Sequence, residues 1–150
     1  MLNVGDSGKL GKNDVLFRNS EDNVRIPMDE NLFNEGKKAF EEKGGIIIQD
    51  VDGDMYLDAR NADAATINEH TIIFRSGSPP TLSEFHEELI HVSQFEQGLV
   101  SSITLVKCEI EAKELLIKNQ KTYGITNSEN AKTKQQLEEL LNLYAKEILD

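Results

Sequence analysis

The stretch that most constrains this chain is Ser76-Gly77-Ser78-Pro79-Pro80. Two successive prolines remove two backbone donors and push the residue before them out of the helical region, so regular structure must form separately on either side. Beyond the break the periodicity is helical throughout. It falls in three runs at roughly residues 81–97, 102–122 and 129–148, with Gly98 and Gly124 placed between them as stop signals. Ahead of the break the pattern differs. A helix is expected after Pro27, with Leu32, Phe33, Ala39 and Phe40 on its apolar face and Gly44-Gly45 at its end. Three short apolar runs then read as strands: Ile46-Ile47-Ile48, Met55-Tyr56-Leu57 and Thr71-Ile72-Ile73-Phe74. One helix, a small sheet and three helices together predict an α+β fold.

Between the first two apolar runs lies Asp50-Val51-Asp52-Gly53-Asp54. Its alternating aspartates suggest a calcium loop, but the sixth and twelfth positions are Met55 and Asn61 where an EF-hand needs glycine and glutamate. An Asp-Gly hairpin turn is the simpler expectation. Residues 1–25 are polar and glycine-punctuated, with only Val15-Leu16-Phe17 strand-like, and read as a lead-in or linker to a single domain over residues 26–150. The formal charge is −11, from 27 acidic and 16 basic residues, and a field of that sign disfavours nucleic acid as a partner. Cys108 is the lone cysteine, so neither a disulfide framework nor a thiolate metal site is available. No apolar run has a signal peptide's character or reaches membrane-spanning length, so a soluble chain is expected.

The chemistry concentrates in Glu84-Phe85-His86-Glu87-Glu88-Leu89-Ile90-His91-Val92. This is nearly the zinc-peptidase signature H-E-x-x-H, except that His86 and His91 stand five apart rather than four. Thr81 and Glu84 have capping-box spacing, which places the helix start at residue 81 or 82. Leu82, Phe85, Leu89 and Val92 then share an arc of roughly 80° and form the core stripe. His86 and His91 lie about 140° apart on that cylinder, so one straight helix cannot turn both to one ion. Glu87 and His91 are only about 40° apart and can converge. The pattern becomes E-E-x-x-H. Glu87 and His91 are candidate ligands, Glu88 is the candidate general base, and His86 is a bystander or an outer partner.

The next helix offers a third ligand. Leu105, Glu109, Ala112 and Leu116 fall on one face, and a glutamate amid apolar neighbours is costly to bury without a partner such as a metal ion. Glu111 is the second choice. Ordinary readings stand beside these: a solvated i, i+3 pair between Glu88 and His91, and a paired or snorkelling Glu109. A di-iron bundle would need a second E-x-x-H half, which the chain lacks. His70 has no acidic residue at ligand spacing and reads as surface or core.

At "EFHEELIHVSQ", at "EIEAKELLIKNQKTYGIT" and in the closing acidic amphipathic helix, the chain resembles the zincin-like metallopeptidase toxin domains at the C-terminal ends of bacterial polymorphic toxins. The resemblance covers about residues 45–146. It implies a small β-sheet packed on an active-site helix with two further helices after it, and a metal-dependent peptidase that hydrolyses a protein or peptide substrate. It also implies secretion as part of a larger toxin, action in the target-cell cytoplasm, and a cognate immunity protein. By position it assigns metal binding to Glu87, His91 and Glu109 and catalysis to Glu88. Zinc is the metal the resemblance implies. A Glu-His-Glu set is harder than the usual His-His-Glu set, which opens the site to manganese or iron. The strand expected beside the site helix, as a docking edge for extended substrate, is Thr71–Phe74. The rival expectation is a catalytically inactive module of the same shape that acts by binding a target protein.

Overall fold

In a computed structural model of the protein, residues 25–149 are described. The expected lead-in, with Val15-Leu16-Phe17, lies outside the described residues apart from Arg25. The described residues form an α+β fold of six helices and one three-stranded mixed sheet.

Helix α1 (Glu30–Glu42) begins at Asp29, whose side chain accepts from the Leu32 amide. It buries Phe33 and Phe40, seven residues apart on one stripe, while Leu32 and Ala39 are exposed, contrary to expectation. The sheet contains β1 (Ile46–Ile48), β2 (Ala64–Asn68) and β3 (Thr71–Phe74), in the order β1-β3-β2. Strand β3 runs parallel to β1 and antiparallel to β2. Thr71–Phe74 is therefore the central strand, which overturns its expected place at the edge. A tight turn, in which Asn68 Oδ1 accepts from the His70 amide at 2.8 Å, folds β3 back along β2. Its other side takes β1. Near-total burial of Ile72, Ile73 and Phe74 is what a strand covered on both faces requires.

The expected hairpin at Asp50–Asp54 and the strand at Met55-Tyr56-Leu57 are also overturned. Both belong to helix α2 (Val51–Ala59). Asp50 caps it, with Oδ1 accepting from the Gly53 amide at 2.7 Å, and Asp52 and Asp54 sit in the first turn, where the helix dipole favours negative charge. Gly53 serves packing rather than a turn. A Cβ there would lie 3.1 Å from side-chain methyls of Ile48 and Ile73, so the missing side chain lets α2 lie close on the sheet.

Alternation along the strands divides the core. Ala64, Ile72 and Phe74 face Phe33 and Phe40 of α1 and Phe85 and Val92 of α3 (Leu82–Glu96). Ala65 and Ile73 face the other way, onto Leu57 and Ala62 beneath α2. Phe33 meets Phe74 and Phe85 edge-on, with ring centroids 5.8 and 5.9 Å away. The second half of the chain forms α4 (Leu105–Lys118), α5 (Gln120–Tyr123) and α6 (Asn127–Leu149). The run expected over 102–122 thus starts later and divides at Asn119, and Gly124 closes α5 at φ +70°. Helix α4 lies between α3 and α6, with Val106 and Leu140 packed together in the α4–α6 seam. Among the described residues, no helix is long and apolar enough to cross a membrane.

Candidate metal centre

The rotational phase of α3 is set at its first turn. Thr81 Oγ1 accepts from the Glu84 amide and Glu84 Oε1 accepts from the Thr81 amide, both at 3.1 Å, which is the capping box the sequence predicts. Arg25 grips the same Glu84 carboxylate through Nε at 2.8 Å and Nη2 at 2.6 Å. With the phase so fixed, Phe85 and Val92 enter the core, Leu82 and Leu89 border it, and Glu87, Glu88 and His91 turn inward beside β2 and α4.

All three of these polar residues are at most 1% exposed, and one ligand atom from each lies within 4.8 Å of the others. Glu109 of α4 is equally buried. Its Oε1 is 3.2 Å from His91 Nε2, while Glu87 Oε2 is 3.8 Å from that nitrogen. Glu109 stands next to His91 but outside the tight Glu87–Glu88–His91 group. Glu111, the second choice, is exposed and instead accepts a hydrogen bond from Gln94. Leu105, Ala112 and Leu116 are buried on the same stripe as Glu109, as their spacing predicts, and Ala112 is fully buried.

The other two histidines lie elsewhere. His86 stacks flat on Tyr123, with centroids 4.0 Å apart and planes 7° apart, and burial pushes its pKa down to about 4. His70 is 63% exposed beside Glu69. The helical-phase argument that separated His86 from His91 therefore describes the folded chain, and His91 supplies the sole imidazole of the group.

Three partners were not anticipated. Gln94, one turn beyond His91, donates from Nε2 to the Cys108 carbonyl at 3.0 Å and to Glu111 Oε1 at 2.9 Å. Those bonds orient the amide so that its Oε1 faces His91 Nδ1 at 2.8 Å, and Nδ1 must then carry a proton. The opposite nitrogen, Nε2, faces the carboxylates, with Glu109 Oε1 at 3.2 Å and Glu87 Oε2 at 3.8 Å. Thr66 of β2 places its hydroxyl 2.8 Å from Glu88 Oε1 and 3.1 Å from the Glu88 carbonyl, tying the helix to the strand. Lys113 of α4 is 1% exposed, with Nζ 2.6 Å from Glu87 Oε1. A signal for Lys113 did exist: it stands one turn after Glu109 and beside Ala112 on the buried stripe.

Electrostatics follow from this crowding. Burial alone would strip His91 of its proton, but Glu109 and then Glu87 outweigh it and raise the pKa to about 9. Burial pushes the Glu109 carboxyl up, and the His91 charge overcomes this and holds it low. Burial dominates at Glu88 and raises its pKa. Three acidic side chains thus converge on His91, with the Lys113 ammonium against one of them, a grouping whose negative charge a divalent ion can offset. The donor set fits such an ion: an imidazole nitrogen fixed in the right tautomer, and carboxylate oxygens within closing distance of it. Compared with family models, curated proteins and solved structures, the chain matches none.

Proposed function

We propose that this chain is a zincin-like, metal-dependent peptidase serving as the antibacterial effector domain of a larger secreted toxin. The observation that carries the chemical part is the buried convergence of Glu87, Glu88 and His91 on one helix. In this reading Glu87 and His91 hold a divalent ion with Glu109 beside them. Zinc follows from the resemblance, and manganese or iron suits the oxygen-rich donors. The ion, when bound, supplies Lewis acidity that polarises a scissile carbonyl and acidifies water.

The protein's own groups do the rest. Gln94 keeps the proton on His91 Nδ1 and so keeps Nε2 available as a donor. Glu88, with a carboxyl raised by burial and oriented by Thr66, takes a proton from the attacking water and passes it to the leaving amine. Among the described residues β2, not β3, is the edge strand beside α3, and an extended substrate adding to that edge would run past Glu88. The site groups are at most 1% exposed, so cleavage on this reading requires that they become accessible to substrate. The toxin context, the target-cell cytoplasm as site of action and the cognate immunity protein rest on the resemblance at "EFHEELIHVSQ" and "EIEAKELLIKNQKTYGIT".

A second reading is favoured by Lys113. A resident ammonium against Glu87 can stand in for a metal charge and leave an inactive module that acts by binding a target. Glu88→Gln distinguishes the two. It keeps an oxygen to accept from Thr66 but removes the base. On the peptidase reading the variant folds and takes up metal, yet loses cleavage of a denatured protein substrate and toxicity in unprotected cells. Undiminished toxicity would establish the binding module instead.

A further inference from the structure

We propose that Lys113 sets which cation this site accepts, by occupying one oxygen of Glu87 and cancelling one carboxylate charge. The inference rests on the metal-centre reading and adds selectivity to it. Lysine is among the side chains least often found fully buried, and an interior ammonium is tolerated only with a close counter-charge. Here it is 1% exposed, and its contact is specific: Nζ lies 2.6 Å from Glu87 Oε1, while Oε2 of the same carboxylate is the atom that faces His91 Nε2 at 3.8 Å. Fully buried Ala112, adjacent in sequence, lets α4 bring this lysine against α3.

Two consequences follow. With Oε1 held by the ammonium, Glu87 offers a cation one oxygen rather than two. Calcium takes six to eight oxygens and favours two-oxygen carboxylate contacts, whereas zinc is satisfied by four ligands with one oxygen from each carboxylate. The ammonium also offsets the charge of the Glu87 carboxylate that it touches. That offset weakens the pull of the acidic cluster on hard, oxygen-seeking cations such as calcium relative to a transition-metal ion held by the imidazole.

The test is calorimetric titration of the metal-stripped 150-residue chain with zinc, manganese and calcium chlorides, for the wild type, Lys113→Met and Lys113→Gln. The wild type should bind one equivalent of zinc or manganese, and calcium about a hundredfold more weakly or less. Lys113→Met should raise calcium affinity by about tenfold or more and narrow that preference, with Lys113→Gln in between because it keeps a donor without the charge. An unchanged preference in the variants overturns the role assigned to Lys113, as does a wild type that binds calcium as tightly as zinc. If Lys113→Met does not fold, Lys113→Gln and the wild-type calcium arm still decide. A wild type that takes up neither zinc nor manganese refutes the metal-centre reading itself, and the selectivity role with it.

Discussion

Breaking the Lys113–Glu87 pair in the metal-free protein should be among the most damaging single changes available to this chain. The pair is closed to 2.6 Å and both side chains are 1% exposed, so neither charge left behind can turn to solvent. Removing one member of a buried pair typically costs about 3–5 kcal/mol, against a total stability of about 5–15 kcal/mol for a domain. Lys113→Met should therefore lower the melting temperature by roughly 10 °C. Glu87→Gln should cost at least as much, since it also takes a carboxylate away from the His91 imidazolium. The double variant should recover most of the loss, because a neutral, well-packed replacement for a buried ion pair is often nearly neutral in stability. Urea unfolding followed by circular dichroism in chelator gives all four corners of the cycle, and a coupling of about 2 kcal/mol or more is expected. Two single losses below about 1 kcal/mol that simply add would mean the pair behaves as a solvated surface contact.

Other outcomes follow from the same geometry. His91, raised to about 9, should contribute stability to the metal-free fold that is full below pH 6.5 and lost as pH climbs through 9; metal must displace that proton, so affinity for the ion should rise over the same range. His86, lowered to about 4, has the opposite sign: its contribution is present above pH 6.5 and lost as pH falls towards 4, and His86→Phe should remove that acid-side loss from a stability–pH series. Gly36→Ala should destabilise by about 1–2 kcal/mol despite better helix propensity, because its Cβ would sit 2.4 Å from Phe85 Cζ; a gain in melting temperature would show that the α1–α3 contact is loose.

What could be read in advance depended on whether a local signal agreed with its tertiary setting. The α3 helix was legible because its capping box, core stripe and histidine phase all rest on one helical period, and the folded chain keeps that period. Glu109 was legible for the same reason, as an acid on the Leu105–Ala112–Leu116 stripe. Helix α2 was not. Asp-Gly followed by Met55-Tyr56-Leu57 reads locally as a turn and a strand, whereas Asp50 is a helix cap and Gly53 is a point of close contact with Ile48 and Ile73. Strand β2 was missed because Ala64-Ala65 lack the branched bulk that marks a strand, and its burial comes from α3 and α2 rather than from its own side chains. That omission displaced β3 to the edge. Lys113 was overlooked because a lysine in "EAKELL" normally lies on a solvated face, and only the Glu87 side chain of another helix brings it inside.

The central claim is that α3 carries a metal centre built on His91 and not on His86. Its most direct test is the metal content of the purified protein after loading with zinc or manganese and desalting, measured by elemental analysis for the wild type, His91→Ala and His86→Ala. One equivalent in the wild type and in His86→Ala, and none in His91→Ala, is the result predicted. A wild type that retains no metal, or equal losses in the two variants, would contradict it.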